Sequence, residues 1–332
     1  MNVASVSVLI CTYNRGRLLR ETLTALQSQT RPAGCEVEIV VVDNNSTDDT
    51  AAVVASAARD ARFPMVYLRE HRQGKSFALN LGLSHARGDV LALTDDDVLP
   101  DAEWVNRIVA AFRARDVTFV FGRVLPRWGR VPPPELLTPR AQDIWGPLAI
   151  VDYGEEPIAY VSERIDQRLP IGANLALSRT ALAAVGGWRT DLGKVNNTLI
   201  SGEDHEIFLR LRKRGLYGGY YDPQITVRHY VPAMRLTRRY FRQWFYWHGK
   251  TQALMLADLF PGIDMARVPH VAGVPRFLYR QAFEQGVRYL KRLGRRDAIG
   301  LLVEELRLLR CAGLFLECWR QRWRARPTAV TS

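Results

Sequence analysis

Three adjacent carboxylates, Asp95-Asp96-Asp97, directly follow the apolar stretch Asp89–Thr94 (DVLALT). Carboxylates this close repel one another unless a cation or solvent compensates. Hard oxygen donors at a strand end suit Mg²⁺ or Mn²⁺ held together with substrate phosphates. The same triplet also reads as a solvated acidic turn that caps the helix after Pro100. A second cluster, Asp43-Asn44-Asn45-Ser46, closes the buried run Glu36–Val42. Asp43 there can accept hydrogen bonds from a base or ribose, or merely close an Asx turn and cap a helix. A third, Gly202-Glu203-Asp204-His205-Glu206, runs into IFLRLRKRG. A carboxylate at a helix start can deprotonate an acceptor hydroxyl, although the helix dipole favours acidic first turns without any chemistry. In Gly172-Ala173-Asn174 the small residues permit close approach of a ligand. His229, one of six histidines, is either a core residue or a neutral imidazole beside a metal-diphosphate.

These residues need elements to bring them together. SVSVLICTYNRG reads as a buried strand that breaks at Asn14–Gly16, followed by a helix over Arg17–Gln29. Glu36–Val42 is a second buried strand, and Ser46 or Thr47 caps a helix over Asp48–Arg59. Met65–Leu68 is a third strand, Phe77–Ala86 a helix and Asp89–Thr94 a fourth strand. The β-α-β-α alternation predicts an α/β fold with a parallel sheet covered by helices. Ligands of such sheets bind outside the C-terminal strand ends, which is where Thr12–Arg15, Asp43–Ser46 and Asp95–Asp97 fall. Helices are also expected over Trp104–Ala114, Thr180–Val185 and Glu203–Arg214, and Pro126–Pro139, with five prolines, as a long irregular connection.

Composition bounds the answer. The 332 residues are 47% apolar and 24% charged, a globular balance that excludes a disordered or fibrous chain. The net charge of +12 points to an anionic partner, but it is lodged at one end. Residues 1–235 carry 28 Lys and Arg against 27 Asp and Glu, whereas residues 236–332 carry 18 against 7. Cys11, Cys35, Cys311 and Cys318 form neither a C-x-x-C pair nor a metal spacing with histidine. They read as buried thiols in a reducing compartment, the last two on one helical face. The run Val3–Cys11 lacks the features of a secretory signal. No segment reaches the roughly 20 apolar residues that span a bilayer. A cytoplasmic location is therefore expected.

SVLICTYNR, VVDNNSTDDT, GKSFALNLGL, LTDDDVLP, GAN, GEDHEIFLRL and VRHY stand in one order. Over residues 5–230 this order resembles the family 2 glycosyltransferases, inverting enzymes of the GT-A fold that use nucleotide-diphospho-sugars. The resemblance implies a mixed, mostly parallel, Rossmann-like sheet flanked by helices. It also implies a divalent cation, Mn²⁺ or Mg²⁺, a UDP-sugar as the commonest donor, and a glycan or polyprenyl-linked acceptor in cell-envelope polysaccharide synthesis. Carried over residue by residue, Thr12 and Tyr13, with Asn14 and Arg15 in the same loop, border the nucleobase. Asp43, with Asn45, binds uracil or ribose, and Lys75 and Asn80 flank the nucleotide. Asp95 and Asp97 form the D-x-D pair, with Asp96 between them on the donor. Asp95 contacts ribose and joins the metal set, and Asp97 ligates the metal. Gly172, Ala173 and Asn174 line the donor. Asp204 is the base with Glu203 as its substitute, and His229 contacts the metal or diphosphate. One departure is that Arg72 and Gln73 stand where many members have an Asn before the Gly.

Two other functions fit parts of the pattern. A nucleotidyltransferase of related fold requires a glycine-rich triphosphate loop, and CTYNRGR lacks that glycine density. A non-catalytic sugar-nucleotide-binding or scaffold protein is expected to have lost Asp97 or Asp204, and both are present. The expected domains are 1–235, catalytic, and 236–332, basic and helical. The latter mixes Arg238, Arg239, Arg242, Trp244 and Trp247 with Trp319, Arg320, Arg322, Trp323, Arg324 and Arg326. Basic residues mixed with Trp suit an anionic membrane surface, the inner face of the cytoplasmic membrane, or helices packed on the catalytic domain with a solvated Arg face. No nucleic-acid partner is expected.

Overall fold

Near-continuous β-branched and apolar runs are buried on both faces, so they form the middle of a sheet rather than a solvated edge. In the computed structural model, which describes residues 2–161, 169–195, 198–260, 263–295 and 297–324, four such runs form parallel strands. They are β1 (Ser5–Thr12), β2 (Glu36–Asp43), β3 (Met65–Arg69) and β4 (Val90–Asp95). Helices α1 (Gly16–Gln27), α2 (Thr50–Arg59) and α3 (Lys75–His85) connect them. Expected and observed boundaries agree within two residues, except for the helix cap before α2. Ser46 and Thr47 do not cap it. Ser46 Oγ is engaged by the Asn14 N–H, and the Thr47 N–H donates to Asn14 Oδ1. Asp48 Oδ1 instead accepts from the Thr50 N–H at 3.1 Å.

Beyond β4 the sheet becomes mixed. The elements are β5 (Val98–Pro100), α4 (Trp104–Ala114), β6 (Phe119–Trp128), β7 (Ile158–Tyr160), β8 (Leu175–Ser178), α5 (Arg179–Val185), α6 (Glu203–Lys213) and β9 (Gly219–Val231). Strand order is β3-β2-β1-β4-β8-β6-β9-β5, with β7 also paired to β9. Thus β8 runs antiparallel to β4 and β6, while β9 runs parallel to β6 and antiparallel to β5. Pro126 is not part of the irregular connection expected there. It lies inside β6, beyond the end of the β8 pairing at Phe121, and faces His229 on β9 alone. Its missing N–H therefore costs no ladder bond.

The apolar core gathers both faces of this sheet, with Leu9, Ile10, Trp104, Phe112, Phe119, Phe121 and Phe208 fully buried. The four parallel strands end together: Thr12 pairs with Asp43, Cys11 with Asp95, and Asp43 with Arg69. Three loops rich in carboxylate and amide groups thus share one sheet edge.

The chain forms two compact units, and the division is not a single break at 235/236. One unit comprises Met1–Gly129, Ala149–Asn196 and Glu203–Val231; the other comprises Arg130–Leu148, Asn197–Gly202 and Pro232–Ser332. The second unit contains three 3-10 turns between Pro134 and Leu148, followed by α7 (Arg238–Leu254), α8 (Leu256–Leu259), β10 (His270–Val271), β11 (Val274–Pro275), α9 (Arg276–Leu293) and α10 (Ala298–Arg324). Helices α7 and α10 meet through reciprocal glycines. A Cβ on Gly249 would stand 1.9 Å from Arg310 O, and one on Gly313 1.9 Å from Tyr246 O. Among the described residues no helix is long and apolar enough to cross a membrane. The side chains of Trp323 and Arg324, and all of Arg326, lie outside the described residues.

Candidate active site

The turn between β4 and β5 presents the three carboxylates in three different environments. Asp96 is buried within the turn. It accepts from Thr12 Oγ1 at 2.8 Å, and its backbone carbonyl accepts from Thr22 Oγ1 at 3.0 Å. Burial pushes its pKa up to about 6, with Arg15 opposing and Asp97 adding to the rise. Asp97 is held against β9 because the Tyr230 N–H donates to its carbonyl at 2.9 Å and Val98 pairs with His229. Its Oδ1 lies 3.4 Å from His229 Nε2, with both side chains 3% exposed. That oxygen has no hydrogen-bond partner among the described residues. Arg15 reaches across from the loop after β1. Its Nη1 donates to Asp97 Oδ2 at 2.6 Å and to Asp96 Oδ1 at 3.0 Å.

Asp95 faces the other way. Lys75, the first residue of α3, donates from Nζ to Asp95 Oδ1 at 3.1 Å and lies 3.6 Å from Glu203 Oε1. Burial disfavours charge on Asp95, yet Lys75, then His229 and Lys194, hold it well below the usual carboxylate range. Lys194 was not anticipated. It arrives on the segment after α5, which is stitched onto α3 by Ser76 Oγ donating to Leu192 O and by the Lys75 N–H donating to Lys194 O. Nothing in its sequence neighbourhood, TDLGKV, signals a site.

Asp204 begins α6. Its Oδ2 accepts from the Gly172 N–H at 2.8 Å, while Oδ1 and the neighbouring Glu203 Oε2 are buried without a hydrogen-bond partner among the described residues. Burial, then the adjacent Glu203, raise the pKa of Asp204 to about 7, with Lys75 opposing. A buried carboxylate poised near neutrality, fixed at one oxygen and open at the other, is equipped to take a proton.

The structure thus brings together Thr12, Arg15, Lys75, Asp95, Asp96, Asp97, Gly172, Glu203, Asp204 and His229. Other expected site residues are occupied elsewhere. Both ends of the Asn80 amide are engaged by the Trp188 backbone at 2.8 Å, so Asn80 anchors the segment after α5 rather than facing a nucleotide. Asn174 is fully buried, donating to the Arg123 and Ile225 carbonyls and accepting from Trp104 Nε1. It pins the irregular register between β6 and β9, its amide taken up by protein partners. Ala173 is buried beneath Thr94, whose hydroxyl donates to its carbonyl. Asp43 accepts from the Ser46 N–H and the Tyr67 hydroxyl, each at 2.7 Å, closing its own turn. Tyr13 is exposed at the loop edge. Asn14 and Asn45 both adopt positive φ, and Asn14 ties its loop to Thr47. Arg72 pairs with Glu70 and stacks over Phe77, and Gln73 donates to the Asn44 carbonyl.

Known proteins resemble this chain to differing extents. The Haloferax volcanii glycosyltransferase AglE is 32% identical over 36% of this chain and 39% of its own length. The Haloferax volcanii glucosyl-dolichyl phosphate glucuronosyltransferase is 24% identical over 75% of this chain and 77% of its own. The chain therefore spans about two fifths of the first relative and about three quarters of the second. Among solved structures, the mannosyltransferase PcManGT from Pyrobaculum calidifontis, in complex with GDP-Man and Mn²⁺, covers 98% of this chain and 89% of its own. Its TM-score is 0.59 at 20% identity, a likeness of fold. A family model described as glycosyl transferase family 2 matches residues 7–182. Since that match spans more than half of the 332 residues, the chain belongs to glycosyl transferase family 2 and is a transferase.

Proposed function

We propose that this enzyme transfers a sugar, with inversion, from a nucleotide-diphospho-sugar to a lipid-linked acceptor at the inner face of the cytoplasmic membrane. The observation that carries the reading is one sheet edge bearing both a cation-ready pair, Asp97 and His229, and a buried carboxylate with one open oxygen, Asp204. The relatives' names support the acceptor class. Besides the dolichyl-phosphate enzyme, the Pseudomonas savastanoi undecaprenyl-phosphate 4-deoxy-4-formamido-L-arabinose transferase is 31% identical over 49% of each chain.

Asp97 Oδ1 is buried, lacks a hydrogen bond among the described residues and lies beside an imidazole nitrogen, a donor pair whose chemistry fits Mn²⁺ or Mg²⁺. Asp97 and His229 would hold the cation. When bound, it offsets the charge that builds on the leaving diphosphate. Lys75 keeps Asp95 ionised for the ribose hydroxyls. Asp204 Oδ1 accepts the acceptor's proton as its oxygen attacks the anomeric carbon from the face opposite the diphosphate. A single displacement needs no covalent intermediate and therefore one carboxylate on the acceptor side, unlike the flanking pair of glycoside hydrolases. UDP is the expected base-bearing product.

Thermal shift of the full chain with UDP, GDP and dTDP, each with and without Mn²⁺, tests the reading. A rise of the melting midpoint with one nucleotide, dependent on Mn²⁺, is expected. No shift with any of them in Mn²⁺ overturns it. Gly172→Ala is a second test, because the new Cβ would stand 2.8 Å from Asp204 Oδ2 and 3.0 Å from Oδ1. The carboxylate must move, and turnover is expected to fall about a hundred-fold while the nucleotide-induced shift persists. Unchanged turnover would dissociate catalysis from this contact.

A further inference from the structure

Of the Trp and Arg residues of α7, candidates for a membrane-facing surface on sequence alone, Trp244, Trp247 and Arg242 are engaged within their own unit, while Arg238 and Arg239 at its start are exposed. Trp244 stacks on His248 at 4.8 Å, Lys250 lies over the Trp247 ring, and Arg242 pairs with Glu305 at 2.6 Å. The longest exposed apolar stripe on these helices is on α9. Tyr279, Phe283, Leu290 and Leu293 are 37%, 73%, 64% and 52% exposed. Their spacing of four, seven and three residues places all four on one helical stripe. The ladder is bordered on one side by Arg276, Arg280 and Lys291, all exposed, and α9 carries five basic residues against one acidic. Tyr279 packs on Phe315 of α10 at 4.9 Å, and beyond it Leu316 and Trp319 are about half exposed. An exposed apolar stripe edged on one side by cations is not an ordinary solvated helix face.

We infer that α9 lies in the interface of an anionic lipid bilayer, its Tyr279–Leu293 stripe among the acyl-chain ends and its cations on the phosphates. Two observations select this occupant. Residues 236–332 carry 18 Lys and Arg against 7 Asp and Glu, a charge that anionic headgroups neutralise, whereas a second copy of the chain would bring the same cations face to face. In addition, α9 has the composition of helices that lie in the membrane plane, and no described helix is suited to crossing it. The inference deepens the proposed function by supplying the surface on which a lipid-linked acceptor would be met.

Co-sedimentation of the full chain with vesicles of phosphatidylcholine and phosphatidylglycerol (7:3), against pure phosphatidylcholine, tests it. The expected result is retention by the anionic vesicles, weakened by salt, and a loss of at least tenfold in partitioning for Phe283→Asp/Leu290→Asp. Both side chains are exposed, so that variant should keep its melting midpoint and its Mn²⁺-dependent nucleotide shift, which separates failure of the membrane face from failure of the proposed reaction. No retention of the wild type by either vesicle, or equal retention of the variant, overturns the inference. So does a wild-type dimer that the variant dissolves without any vesicle binding, because a second copy would then cover the face.

Discussion

Replacing Asp204 by Asn removes sugar transfer, by about three orders of magnitude, and leaves the Mn²⁺-dependent nucleotide shift in place. The amide preserves shape but cannot take a proton, and Asp204 lies with Gly172 and Glu203 rather than with the Asp97–His229 pair. The pH dependence follows from the same burial. With the carboxyl pushed up to about 7, the base form is lost as pH falls through that value, so kcat/KM of the wild type rises with pH on an acid limb near 7. Stability moves the other way. A carboxyl raised from 3.8 to about 7 is ionised in the unfolded chain before it is ionised in the fold. It therefore penalises folding increasingly from about pH 4 to about pH 7, with a constant penalty above. Asp204→Asn lacks that penalty, so the inactive variant should melt a few degrees higher than wild type at pH 8 and no higher at pH 3.5. Near-normal turnover would move the base to Glu203. A flat wild-type profile between pH 6 and 8 would remove Asp204 from the proton transfer.

How much of this was legible in the sequence depends on which forces set each feature. The parallel half of the sheet was read from β-branched runs broken by polar clusters, because strands buried on both faces leave a local signature. That the clusters Thr12–Arg15, Asp43–Ser46 and Asp95–Asp97 share one edge followed from the parallel topology alone. The mixed half was implied by the resemblance, but its strand pairing was not legible in any local pattern. His229 meets Asp97 only because β5 pairs antiparallel with β9, more than a hundred residues away, and no local pattern encodes that partner. Asn80 and Asn174 were placed at the donor by the resemblance of their motifs. Yet an amide is also the group best suited to satisfy buried backbone, and Asn174 meets two carbonyls and an indole N–H at once. Lys194 and the Arg15–Asp97 contact escaped notice for the opposite reason, since lysines and arginines in loops are ordinarily solvated.

Lys75→Met is expected to destabilise the fold by about 1–3 kcal/mol, between the ranges for an exposed and a fully buried ion pair. Its side chain is 24% exposed, and its ammonium lies between Asp95 and Glu203 at 3.1 and 3.6 Å. Burial works against charge on Lys75, but Asp95, Asp204 and Glu203 together raise its pKa well above the ordinary value. A raised lysine contributes stability that is complete below its unfolded value and lost as pH rises through the folded one. The depressed Asp95 contributes stability that is present above its unfolded value and lost as pH falls through the folded one. The defect of Lys75→Met should therefore be full between about pH 5 and 10 and shrink toward pH 3, where the carboxyls protonate and no longer need a cation. Urea denaturation of both proteins across that range reads it directly. An equal defect at pH 3 and pH 7 would assign the loss to packing. Adding Glu203→Gln to Lys75→Met removes one of the charges left bare, so the double variant should recover part of the stability, a coupling that independent sites do not show. The same three carboxylates explain why the lysine is there. Asp95 must stay ionised and Asp204 must stay near neutrality on one crowded edge, and a single ammonium placed nearer Asp95 favours the first without fully ionising the second.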